Sequence, residues 1–219
     1  LDEFGGDRLW ATVDAEVGYY QSRKMTTLAP AAAAAGAAWI VPFDADELWV
    51  APHSIGRYLG ALAEETAVVE ARLYHHFRTL VDVEDPDPFR SMVWRQREPA
   101  GMPKVAFRWQ DGATIHAGNH GVDTPRRGSR WAPAEGGLVV HHFPYRSPEQ
   151  FVRKALNGAE AYKATDLGDD IGAHWRQYGE LHARGHSLAE VYREHFTYTL
   201  PTEQGLIRDP APYRRWEAR

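Results

Sequence analysis

Apolar and polar positions along this chain fall into short blocks, and the blocks predict its elements. The sharpest is Trp39-Ile40-Val41-Pro42-Phe43, an apolar run that stops at Asp44-Ala45-Asp46-Glu47 and resumes at Leu48-Trp49. It reads as a buried strand ending in carboxylates. Upstream, Leu9 to Val13 reads as a short strand, and Ala15 to Ala35 as a helix interrupted near Pro30 and stopped at Gly36. Strand, helix and strand in that order predict a parallel crossover, with the acidic triplet at the tip of an interior strand. Downstream, Ser54 caps a helix running to about Ala63, Ala67 to Phe77 alternates as a strand, and Val81 to Pro88 reads as a loop. Asp87-Pro88 opens a short helical stretch toward Arg95.

Lys104 to Trp109, Ala113 to Ala117 and Leu138 to Phe143 read as further strands. Between them lie the loop Gly118-Asn119-His120-Gly121 and a turn-rich, basic stretch from Arg126 to Gly137. Ser147-Pro148-Glu149-Gln150 starts a helix toward Lys163: Ser caps, Pro fits the first turn, and the acid sits at the positive end. The tail from Asp169 is helical in character, with a second cap at Ser187. Five or six strands with helices between and after them predict an α/β fold with a helical C-terminal part.

Composition narrows this. At 219 residues the chain is sized for one substantial domain. A net charge of −5 with no basic run argues against nucleic acid as the partner. The absence of cysteine excludes disulfides and thiolate chemistry and fits a cytoplasmic protein. No apolar stretch reaches the ~18 to 20 residues of a membrane-spanning helix. The sequence opens on Leu1 in mid-pattern, so an excised or truncated piece is expected.

The acids carry the first candidate chemistry. Asp44 and Asp46 are hard oxygen ligands on a short tether; they suit Mg²⁺ or Mn²⁺, which in turn suit phosphate. The plain alternative is a solvated turn. His141-His142 end another strand, and at most one of them faces such a site. His75 and His76 resemble a metal pair by type, but adjacent strand residues diverge, which favours one core and one surface histidine. His120, in its glycine-rich loop near His116, either holds a substrate hydroxyl or phosphate or belongs to a plain turn. Lys104 and Arg108 share a strand face and either bind a diphosphate or line a solvated edge. Arg146 and Lys154 flank the helix start at Ser147, a natural anion site, or are simple helix-surface charge. His174-Trp175-Arg176 with Tyr178 either lines an acceptor pocket or packs the C-terminal helices. Glu47, Asp123, Glu149 and Asp170 are all eligible as a general base, and Glu47 is preferred because it adjoins the acidic strand end.

Two of these segments carry a family resemblance. Trp39-Ile-Val-Pro-Phe-Asp44-Ala-Asp46-Glu47-Leu48 resembles the W-x-h-x-x-D-x-D-E-F strand end of GT-A glycosyltransferases, in particular the family-2-like group that also resembles glycosyltransferase family 92. Val140-His141-His142-Phe143-Pro-Tyr-Arg146-Ser147-Pro-Glu-Gln-Phe151-Val-Arg-Lys154 resembles that group's later H-[YF]-x-x-[RK]-S-x-E-x-F-x-x-K segment. Pro103 to Arg108 and Gly118-Asn119-His120 also fit, and the likeness spans about Leu9 to Lys163.

The resemblance implies a GT-A-like (Rossmann-like) mixed sheet flanked by helices. It would form a catalytic domain over residues 1–165, with a helical extension over 166–219. It implies a nucleotide-diphospho-sugar donor, a glycan or lipid-linked acceptor, peripheral membrane association at most, and a divalent cation. Asp46 would be the main metal ligand, His142 the later one, and Asp44 would contact the metal or the ribose. Lys104, His120, Arg146 and Lys154 would surround the donor. Two departures stand out: the family's first strands are missing from this chain, and position 48 is Leu where Phe is usual. Two other classes use the same residues: a metal-dependent phosphohydrolase or nucleotidyltransferase, and a carbohydrate-binding domain without chemistry.

Overall fold

A computed structural model describes residues 9–125, 130–132 and 137–217. In chain order its elements are α1 (Gln21–Ala34), β1 (Trp39–Ile40), β2 (Glu47–Val50), α2 (Ile55–Gly60), β3 (Thr66–Thr79), α3 (Pro88–Ser91) and β4 (Trp94–Gln96). There follow β5 (Lys104–Arg108), β6 (Thr114–Ile115), a 3₁₀ turn (Ala117–Asn119), β7 (Val122–Asp123), β8 (Arg130–Ala132), β9 (Val139–His142) and α4 (Pro148–Lys163). The chain then runs through α5 (Ala173–Ala183), α6 (Leu188–Phe196), β10 (Thr197–Tyr198), β11 (Leu206–Arg208) and α7 (Ala211–Glu217).

β3 is the spine. Its opening Thr66-Ala67-Val68-Val69 is mostly β-branched and buried, which suits a central strand, and it is long enough to change partners along its length. Val68 to Ala71 pair antiparallel with β5, Arg72 to His75 pair parallel with β9, and His76-Phe77 pair antiparallel with β4. The result is a mixed sheet flanked by helices, an α/β fold. Strand alternation divides the core in two. Val68, Val105 and Phe107 pack with Ala29 of α1 on one face; Val69, Ala106 and Val140 pack with Leu59 of α2 on the other. A third cluster joins Phe151 and Ala155 of α4 to Leu188 and Tyr192 of α6. No helix among the described residues is long and apolar enough to cross a membrane.

Several expectations are corrected. Leu9 to Val13 forms no strand; it is exposed and without regular structure. The expected helix begins only at Gln21 and continues through Pro30 without interruption, ending before Gly36 at φ +94° as anticipated. The parallel crossover expected from Leu9 to Phe43 does not form among the described residues: β1 runs antiparallel to β5 and lies at one end of the sheet path, not in its interior. The short helix from Asp87 stops at Ser91, and Trp94 to Gln96 is strand instead. The tail is not purely helical, because β10 and β11 add to β3 and β4. Most of the basic stretch between 126 and 137 lies outside the described residues.

Candidate active site

The acidic stretch is a turn between two strands. Glu47 N donates to the Asp44 carbonyl at 3.1 Å, closing Asp44 to Glu47 into a β-turn. β2 leaves this turn antiparallel to β9, with Glu47 opposite His142, and Phe143 N donates to the Asp46 carbonyl at 2.9 Å. That register carries Asp46 to His142, whose Nε2 lies 3.4 Å from Asp46 Oδ2. From α4, Lys154 Nζ reaches the same oxygen at 2.5 Å. The Lys154 ammonium also lies 5.6 Å from the centre of the Tyr145 ring, within cation–π range.

These groups line a cavity of about 840 Å³, into which Asp44, Lys104, His120 and Arg146 also project. Burial alone would raise the pKa of Asp46. The hydrogen bond from His142 and the charges of Lys154 and His142 outweigh it and hold the carboxyl well below the usual range. His142 is oriented from behind: its Nδ1 meets His75 Nδ1 at 2.9 Å, one ring donating to the other. Burial, reinforced by the charges of His142 and Lys104, pushes His75 down to about 4. The neighbouring strand positions form a second pair, His76 Nε2 with His141 Nδ1 at 2.9 Å, buried on the opposite face. As expected, only His142 of its doublet faces the site. His75, however, lines the cavity and is not a plain surface residue.

Asp44 is held by three donors. Its Oδ1 accepts from Gln21 Nε2 at 2.7 Å and Asn119 Nδ2 at 3.2 Å, and its Oδ2 from Lys104 Nζ at 2.9 Å. Gln21 is itself fixed, its Oε1 accepting from Gly118 N and Tyr19 Oη, each at 2.6 Å. Asn119 adopts φ +58° beside Gly118 at φ +73°, a left-handed pair that turns the loop back under Asp44.

Lys104 reaches Asp44, Glu47 Oε1 at 2.6 Å and the Gly118 carbonyl at 2.7 Å. Two of its N–H donors go to Asp44 and the Gly118 carbonyl, its charge is paired with buried Glu47, and its side chain is itself buried, so this lysine is committed to the turn and not to a diphosphate. Arg108 points away and donates to the carbonyls of Thr66 and Leu62. The diphosphate expectation for the 104/108 pair therefore gives way to a structural role.

Glu47, the preferred base, has a fully buried side chain that pairs with Lys104 and accepts from Trp49 Nε1 and Asp44 N. It is a counter-ion beneath the cavity. Asp123 is exposed and pairs with His116 at 3.1 Å, and Glu149 and Asp170 are exposed on the surface. None of these three lines the cavity. His120 does; its Nδ1 donates to the Pro103 carbonyl at 2.8 Å, and burial lowers its pKa.

The donor set fits a divalent cation in part. Asp46 and His142 converge and are of suitable type, whereas both oxygens of Asp44 are engaged. Among the described residues no group of three His, Cys, Asp or Glu side chains is arranged to hold a metal. Gln21 and His75 were not marked in the sequence as site residues, and Asn119 was named only as part of the Gly118-Asn119-His120 loop. Gln21 lay inside what read as mid-helix, and only the doubled His-His pattern on two strands hinted at His75.

No protein-family model, curated protein or solved structure matches the chain.

Proposed function

We propose that this chain is a GT-A-like glycosyltransferase, moving a sugar from a nucleotide-diphospho-sugar to a glycan or lipid-linked acceptor. The observation that carries the reading is the meeting of Asp46, His142 and Lys154 at one end of a large polar-aromatic cavity. In the transfer the bond from the anomeric carbon to the phosphate oxygen breaks, and its electron pair leaves with the nucleoside diphosphate. The acceptor oxygen forms the new glycosidic bond, and its proton passes to the departing diphosphate oxygen, since the carboxylates lining the cavity among the described residues are engaged. Asp46 and His142 would hold a Mn²⁺ or Mg²⁺ ion, which would supply charge neutralisation for the departing diphosphate. Lys154 and Arg146 add positive charge at the same end. Asp44, locked as an acceptor by its three donors, suits a hydroxyl of the ribose better than the metal.

The test is a thermal-shift series with UDP-, GDP- and dTDP-sugars, with and without Mn²⁺. At least one donor is expected to raise Tm in a Mn²⁺-dependent way, and Asp46→Ala and His142→Ala are expected to abolish that dependence. Unchanged behaviour in both variants refutes the reading; release of phosphate from simple phosphoesters with no preference for sugar nucleotides points to a phosphohydrolase instead. A second reading has its own support: the only carboxylates lining the cavity among the described residues are Asp44 and Asp46, and both are engaged. A carbohydrate-binding domain needs no free base, and glycan binding without nucleotide or metal binding would favour it.

A further inference from the structure

We propose that the wall formed by Gly158, His174 and Trp175 is a saccharide-acceptor subsite lying one helical turn beyond the Asp46–Lys154 pair. The proposal rests on the transferase reading above.

The argument starts from the periodicity of α4. Gln150, Lys154, Gly158 and Tyr162 recur every four residues and all line the cavity, so one helical stripe forms its long wall. Four residues advance ~6 Å along a helix axis. Lys154 marks the charged end through its contact with Asp46. The next position along the stripe is therefore ~6 Å from the diphosphate end. Transfer requires the acceptor hydroxyl beside the sugar–phosphate bond, so the acceptor belongs where the stripe leaves the charges.

That next position is a glycine for a steric reason. A Cβ at Gly158 would lie 2.8 Å from Cδ2 of Trp175, so the indole rests directly on the helix backbone. Gly172, at φ +71°, supplies the left-handed turn that starts α5 and brings His174 and Trp175 over α4. The His174 and Trp175 rings sit 4.5 Å apart at 46°. His174 is exposed and Trp175 half-buried, and both line the cavity beside Tyr145. Trp175 also packs against the Phe151 cluster and Tyr178, so only part of the indole lines the cavity, together with the His174 imidazole, the Tyr145 phenol and the Lys154 ammonium; a mixed aromatic and polar rim of this kind matches a pyranose, which has apolar C–H faces and a rim of hydroxyls. Although its side chain is exposed, partial desolvation by surrounding protein atoms, with the nearby Lys154 charge, lowers the pKa of His174, which favours the neutral ring.

The test uses saturation-transfer NMR on the full chain, with lactose, cellobiose, maltose and chitobiose as probes. The ring protons of at least one probe are expected to receive saturation from the wild type. Trp175→Leu and Gly158→Ala are expected to bind that probe roughly tenfold more weakly or worse, while keeping the Tm shift caused by UDP, GDP or dTDP. His174→Ala, an exposed position that should not disturb folding, is a third variant expected to weaken the probe. The proposal is overturned if no probe receives saturation from the wild type, or if all three variants retain the signal. It is also overturned if the variants lose the nucleotide shift and keep the disaccharide, because the wall would then stack a nucleobase. A disaccharide signal at this wall with no nucleotide shift in the wild type would sink the transferase reading and leave the saccharide site standing.

Discussion

Lys104 shows how a single residue changes meaning once its neighbours are known. Its side chain is 4% exposed and that of Glu47 is 0% exposed, and the two pair at 2.6 Å. Removing one partner of a buried pair leaves an uncompensated charge, which typically costs 3–5 kcal/mol. Lys104→Met is therefore expected to destabilise the protein by about that much in urea unfolding, and to loosen Asp44 as well. Adding Glu47→Gln removes the stranded charge and should recover a large part of the loss. From sequence, Lys104 and Arg108 could be placed on one strand face, but nothing in their spacing showed that the Asp44 turn passes beneath one of them. Asp46 and His142 were legible as ligand types at two strand ends; their 3.4 Å approach depends on the β2–β9 register.

Among the elements, α4 was the most readable. Ser147, Pro148 and Glu149 announced its start, and Ser147 Oγ does accept from Gln150 N at 3.2 Å. Loss of such a cap costs about 1 kcal/mol, and replacement by glycine only a few tenths. Ser147→Ala is accordingly expected to lower stability by about 1 kcal/mol, with Ser147→Gly much closer to wild type, both read from chemical denaturation. The same caps were legible at Ser54, Asp87 and Ser187, each of which accepts a backbone N–H in the structure. These signals are local, a side chain bonding two or three residues ahead, so sequence carries them whole. The failed elements depended on partners. Leu9 to Val13 has strand composition but pairs with no strand among the described residues, and Trp39 to Phe43 keeps only two residues in the sheet. An apolar run shows that a segment wants burial; it does not say which neighbour supplies the ladder or in which direction.

At the scale of the whole molecule, two histidine pairs tie β3 to β9 through opposite faces of the sheet. Burial, aided by the neighbouring His141, pushes His76 down to about 3, and His75 lies at about 4, against an ordinary value of 6.5. Between those values the unfolded chain binds more protons than the folded one, so stability rises with pH. The contribution is complete above 6.5 and is lost as pH falls toward the folded values. Melting temperature is expected to hold near neutrality and drop from about pH 6.5 to about pH 4, with a shallower drop in His76→Gln if that variant folds. The sequence by itself determined the α/β class, the helix caps, a strand over Ala67 to Phe77 and the residue types able to bind phosphate or metal, because propensity, capping and alternation act over a few neighbours; that this strand runs from Thr66 to Thr79 and is the spine came from the structure. Only the tertiary structure decided which of those residues meet. Asp46 joins His142 and Lys154, Asp44 is clamped by Gln21, Asn119 and Lys104, and Glu47 is buried as a counter-ion. Each of these outcomes follows from strand register and helix placement, which are set by contacts between segments far apart in the chain.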